Sequence, residues 1–185
     1  MKEYKLYLKS TSPYSPSRLH ETPKLQRELA DAYEERTWRE KAHFKNGHMI
    51  IPANQFKSAL SEAAKSLAMQ IPGKGKRTFT QSIKSGTYFP EDLVLKVKKE
   101  EMESVSVWCN AQGKPGVGAR VKRIFPNIPA WEGSIPVVIL DEIVTQEVLV
   151  DHLVQAGSFI GIGRWRPSVG GYNGRFEVVE CKLVK

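Results

Sequence analysis

Five glycines fall within residues 161–174, between a stretch of helical period and one of strand period. Before them, Thr145 stands as a cap to a helix in which Val148, Leu149, His152, Leu153 and Ala156 share one face. After them, residues 175–184 place Phe176, Val178, Cys181 and Leu183 as the apolar members of a last strand, with Val179 out of phase. Glycines allow a backbone to turn tightly and approach closely, so this helix and strand must fold back on one another. The run is not a dinucleotide fingerprint, because Gly161 and Gly163 follow a helix rather than a strand.

The rest of the chain fits the same frame. Tyr4, Leu6 and Leu8 alternate through residues 4–9 as a first strand, and the prolines at 13, 16 and 23 make residues 10–23 a loop. Helix formers from Pro23 onward predict a peripheral helix with a thin stripe of Leu25, Leu29 and Tyr33. An extended piece at 48–51 ends at Pro52. Phe56, Leu60, Ala63, Ala64 and Leu67 then predict a helix over 54–69, capped by Asn54. Strands follow at 92–99, 104–109 and 135–140. The order predicts an α+β class, ferredoxin-like (RRM-like) βαββαβ domain, whose open sheet face is a common platform for single-stranded RNA. One domain over 1–185 is expected, with insertions at about 10–47, 71–90 and 110–130.

The net charge of +8 is unevenly placed. Three windows, 71–90, 111–130 and 161–176, hold 11 of the 14 glycines and 11 of the 28 basic residues, with no Asp or Glu. The remainder carries 17 basic against 20 acidic residues, a slightly acidic scaffold. Basic loops with close-approaching backbone suit a polyanion, and nucleic acid before others. In the first window the contacts would come from Lys74, Lys76 and Arg77, with Lys84 further along. In the second they would come from Lys114, Arg120, Lys122 and Arg123. In the third, Arg164, Arg166 and Arg175 would meet phosphates, with Trp165 and Tyr172 as stacking faces.

Other chemistry is not signalled. Cys109 and Cys181 are too few for a disulfide scaffold and lack metal-ligand spacing, and no apolar run reaches bilayer length. The start MKEYKLYLKS lacks an apolar signal core, so a cytoplasmic setting is expected. His20, His43, His48 and His152 form no ligand pair, and His152 reads as a packing residue. No nucleophile motif, phosphate loop or paired-carboxylate site is present, so a non-enzymatic protein without metal or cofactor is expected.

Three segments carry a family resemblance. MIIPANQFKSALSEAAKSL (49–67) resembles the IPGSSLKGALR-type motif of the CRISPR-associated RAMP superfamily. RVKRIFPNIPAWEGSIPVVILDE (120–142) resembles its R-V-x-P-G-T-x-F-x-F strand. GSFIGIGRWRPSVGGYNGRFEVV (157–179) resembles its C-terminal glycine-rich loop and final strand. Order and spacing agree across roughly 48–185, although Ala53 and Asn54 stand for the usual Gly-Ser and an Arg-Pro lengthens the loop. The IPxxxFK form is closer to the subunits that polymerise along a guide RNA. The resemblance therefore implies sequence-independent binding of a guide-type, crRNA-like single-stranded RNA in an effector-like ribonucleoprotein. Its partners would be copies of the chain and other effector subunits.

RNA contacts would fall at Asn54, Gln55, Lys57 and Ser61, and at Gly161, Gly163, Gly170, Gly171 and Gly174. A base-inserting thumb hairpin is expected at 111–123, with 71–86 as second choice. Two alternatives stay open: a mobile-element-borne mimic acting as an anti-CRISPR, and an endoribonuclease using Tyr14, His20 and Lys24, with single-stranded DNA as a further ligand. A metal-dependent cut at Asp31 matches no motif, and Asp141 and Glu142 read as a solvated turn.

Overall fold

Tyr4, Leu6 and Leu8 lie buried at the centre of β1 (Lys2–Ser10) in the computed structural model, which describes residues 1–111 and 118–184. Their alternation puts three apolar side chains on one face of the strand and Lys5, Tyr7 and Lys9 on the other. β1 pairs antiparallel with β8 (Glu132–Ile139) on one side and β9 (Phe176–Leu183) on the other. A two-residue strand, β4 (Thr87–Tyr88), completes a sheet of order β4-β8-β1-β9. This is the sheet order of a split βαβ arrangement, and it establishes the expected ferredoxin-like α+β class.

Two helices cover the apolar face. α2 (Ala53–Leu67) buries Phe56, Ala59, Leu60, Ala63 and Ala64, a stripe at helical spacing. It starts after Pro52, which caps nothing, and the Ala53 amide donates instead to Asp92 Oδ1 at 2.9 Å. Asn54 is thus not the cap. α4 (Gln146–Gln155) is capped by Thr145, whose Oγ1 accepts from the Val148 amide, and it buries Leu149, His152 and Leu153. It runs into a wide turn, with the Gly161 amide bonded to the Ala156 carbonyl at 2.7 Å. The Gly157 backbone passes so close to Phe176 that a Cβ there would stand 2.0 Å from the Phe176 carbonyl.

Elements hidden in the basic windows depart from the sequence reading. The peripheral helix is only α1 (Ala30–Thr37), because Leu25 and Leu29 are exposed and no apolar face drives a longer one. A 3₁₀ turn (Trp38–Lys41) links it to β2 (His43–Lys45), which pairs with β3 (His48–Ile51). β3 also pairs with β5 (Leu93–Lys98), so the strand expected at 92–99 belongs to a second, three-stranded sheet. The second strand of the βαββαβ frame is instead β4, inside the first basic window. There it follows α3 (Thr80–Gly86), and residues 70–78 close on themselves through a Gln70–Thr78 bridge. The second basic window is largely β7 (Arg120–Asn127), which forms a hairpin with β6 (Glu103–Asn110). Of the first thumb choice, 111–123, residues 120–123 lie in this pairing and 112–117 lie outside the described residues. Lys114 lies outside the described residues.

Candidate nucleic-acid interface

The beginning of α2 and the glycine-rich loop meet across a cleft of about 380 Å³. Asn54, Gln55, Ser58 and Glu62 line it from α2, and Gly161, Gly163, Arg164 and Arg166 from the loop. Ser17 and His43 close its remaining side. Two segments picked out independently in the sequence are thus brought together.

The loop holds its shape through tight glycine packing. Gly161, Gly163, Gly170 and Gly174 all have positive φ. A Cβ on Gly174 would stand 1.8 Å from the Ile162 carbonyl, and one on Gly171 1.9 Å from the Trp165 carbonyl. The loop's amides are spent on protein carbonyls: Ile162 on Gly174, Arg164 on Ser15, Asn173 on Trp165 and Gly174 on Pro13. The glycines serve packing, and the charge of the loop does the presenting.

Arg164 is the central group. Its guanidinium carbon lies 3.9 Å from the centre of the Phe125 ring, and Nε donates to Ser15 Oγ at 3.3 Å. Nη2 is buried and has no hydrogen-bond partner among the described residues, and no carboxylate there pairs with this cation. Burial lowers the pKa of the guanidinium, with Cys109 opposing. Arg166 lies at the other end of the cleft, with Nη2 4.0 Å from Glu62 Oε2. Burial and Arg18 hold the His43 imidazole below its ordinary pKa, with Asp92 opposing, so it faces the cleft neutral at pH 7. Gln55 Oε1 accepts from the Tyr14 hydroxyl at 3.1 Å, leaving its amide NH₂ for the cleft.

The other predicted contacts distribute differently. Lys57 points away from the cleft: its ammonium donates to the Ile83 carbonyl at 2.8 Å and to Thr87 Oγ1 at 3.0 Å, and burial lowers its pKa to about 8. Ser61 is half-buried on α2 and does not line the cleft. Arg123 and Lys122 pair with acids of α1, Arg123 with Glu34 at 2.6 Å and Lys122 with Glu35 at 3.4 Å. Lys74, Lys76, Arg77 and Arg120 are exposed, the first three on the closed turn at the far end of α2. Arg175 donates to the Tyr172 and Ser158 carbonyls. Trp165 and Tyr172 are 54% and 63% exposed, each beside an arginine, and Trp165 holds a positive φ of 60°.

Ser17, His43, Ser58 and Glu62 were not anticipated. Ser58 and Glu62 follow Asn54 at four-residue steps and could have been read from the helical period. Ser17 and His43 arrive from loop and strand through tertiary folding alone. The residues of the endoribonuclease alternative fall at two places. Tyr14 is buried against Gln55, while the His20 ring and Lys24 both gather at Tyr33. No helix is long and apolar enough to cross a membrane among the described residues.

Comparison with known proteins follows from this geometry. A chain in the cryo-EM structure of the Type III-B Cmr-beta bound to cognate target RNA matches with a TM-score of 0.54 at 13% identity, over 100% of this chain and 61% of that one. This chain thus spans about three fifths of the length of that match. The crystal structure of Cmr6 from Pyrococcus furiosus gives 0.49 at 13% identity, over 95% and 97% of the two chains. A chain of a CRISPR RNA-guided surveillance complex gives 0.37 at 12%, over 83% and 58%. No protein-family model and no curated protein matches the sequence. At 13% identity with a TM-score of 0.54 what is shared is the fold, and this chain carries the RAMP-like, ferredoxin-like α+β fold of CRISPR-associated proteins.

Proposed function

We infer that the cleft grips the sugar-phosphate backbone of a guide-type single-stranded RNA without reading its sequence. The observation that carries this is Arg164: a half-buried guanidinium, stacked on Phe125, unpaired by any carboxylate among the described residues and lining an open cleft. An uncompensated cation in such a place costs stability unless an anion completes it. A phosphate oxygen accepts from guanidinium donors in a geometry they match. Asn54, Gln55 and Ser58 supply neutral donors beside it, and exposed Trp165 and Tyr172 offer faces on which unpaired bases stack.

The fold supports this reading, since one chain of the same fold belongs to a complex bound to target RNA. Fold alone does not assign function, so the weight rests on the cleft. In this reading the protein is a non-catalytic backbone subunit of an effector-like ribonucleoprotein, with further copies and other effector subunits as partners.

Fluorescence anisotropy with 12-nucleotide oligo(U) and a mixed-sequence RNA tests it. Affinity should be alike for both and fall log-linearly with salt, by about 0.7 per phosphate contacted. Arg164→Ala should weaken both about tenfold and flatten the salt slope by about 0.7. Salt-insensitive binding, or an Arg164→Ala variant that binds as well as the parent, would overturn the reading.

A further inference from the structure

The base of the β6–β7 hairpin meets the cleft residue Arg164 through the Phe125 ring. Phe125 on β7 lies 3.9 Å from the Arg164 guanidinium, and Ser15, which accepts from Arg164 Nε, donates to the Pro126 carbonyl at 2.9 Å. Besides the neighbouring Trp165 ring, the side-chain contacts of Arg164 among the described residues therefore lead to residues 125–126.

The same ring is held from the other direction. Lys41 Nζ stands 4.4 Å from its centre and donates to the Ile124 carbonyl at 2.7 Å and to Glu34 Oε2 at 2.6 Å. Glu34, only 2% exposed, also accepts from the Ile124 amide at 3.0 Å and from Arg123 at 2.6 Å. One buried carboxylate of α1 thus locks the hairpin root, and the root locks the ring.

We propose that Phe125 is a positioning residue for Arg164, and that docking of the β6–β7 hairpin and occupancy of the cleft by a phosphodiester are reciprocally coupled through it. The proposal rests on the RNA-backbone reading of the cleft. A guanidinium stacked by its face keeps its N–H donors in the ring-parallel plane, where Ser15 takes Nε and Nη2 has no partner among the described residues, so the stack does not compete with an anion. The ordering that one interaction imposes need not be repeated for the other, and coupling of this kind runs equally in both directions.

A double-mutant cycle decides it, with 12-nucleotide oligo(U) as the probe. Phe125→Leu should weaken binding about three- to tenfold, the range of a partly desolvated cation–ring contact. Phe125→Tyr, which keeps the ring, should bind within about twofold of the parent. In an Arg164→Ala background, Phe125→Leu should have no further effect. Phe125→Met serves the same purpose if leucine unseats the hairpin, with circular dichroism confirming a folded chain. An equal loss in the Arg164→Ala background, or a failure of tyrosine to rescue, overturns the positioning role and leaves RNA binding standing. If the parent protein does not bind the probe at all, the backbone reading falls and the coupling falls with it.

Discussion

Lys57 shows how far a motif lysine can be from the ligand it seems made for. Its ammonium closes the end of α3 against the Ile83 carbonyl and Thr87, in a half-buried place that lowers its pKa from 10.5 to about 8. The unfolded chain keeps the proton up to the higher value. Between about pH 8 and 10.5 the unfolded state therefore binds more protons than the folded one, and stability rises with pH across that window. Urea unfolding at pH 7 and 9.5 should show a gain in the parent that is smaller in Lys57→Met. The glycines offer a second contrast at this scale. Gly170 and Gly174 both have φ near 79°, yet a Cβ on Gly170 meets nothing within 4 Å while one on Gly174 strikes Ile162. Gly170→Ala should cost about 1–2 kcal/mol, the left-handed penalty alone. Gly174→Ala should cost more than that and distort the cleft, as thermal unfolding and oligo(U) affinity would register.

Among elements, the hairpin root depends on Glu34. Burial pushes its carboxyl up, but hydrogen bonds from Lys41, the Ile124 amide and Arg123 outweigh that and hold it below its ordinary value. Its stabilising share is present at neutral pH and lost as pH falls through the lowered pKa. Glu34→Gln leaves two cations short of their partner and should cost about 3 kcal/mol. Hydrogen exchange should quicken in 120–127 while the β1 and β8 amides keep their protection. The helices differ in how visible they were. α2 can be read because its apolar spacing and its burial coincide at Phe56, Leu60, Ala63 and Ala64, with Ala59 buried beside them. α1 was overextended because helix-forming composition says nothing when Leu25 and Leu29 have no surface to cover. α3, β4 and β7 lie in windows that read as loops, since basic and glycine-rich composition masks short elements whose contacts lie far along the chain. β7 pairs with neighbouring β6 but is also held by a carboxylate 90 residues away. The cleft was half legible: its two motif walls carried local signals, whereas Ser17 and His43 join it only through long-range packing.

At the scale of the whole molecule, the charge that first suggested a polyanion has been sorted. Arg123 and Lys122 are committed to α1, and Arg164 lines the cleft half-buried, with no carboxylate partner among the described residues. The outer face of β1 is mixed in charge. Lys9 there stands between Glu132 and Glu177, Tyr7 opposite Glu180, and Lys5 opposite Lys182. Tyr7 is the one aromatic that β1 presents on that face. Lys5→Glu and Lys9→Glu should each leave oligo(U) affinity within about twofold of the parent, because a face already carrying carboxylates attracts little polyanion. A tenfold loss in the same titration would return the binding surface to the sheet.

The seam between the glycine loop and residues 11–15 has a consequence for the order of assembly. Gly174 bonds to Pro13, Arg175 to Thr11 and Ser12, and Arg164 to Ser15, across some 150 residues. During synthesis the first strand and α2 emerge long before the partners that complete the cleft. A nascent chain on the ribosome, surrounded by RNA, therefore has no finished grip to close on it. The grip forms only once β9 has been made and laid against β1.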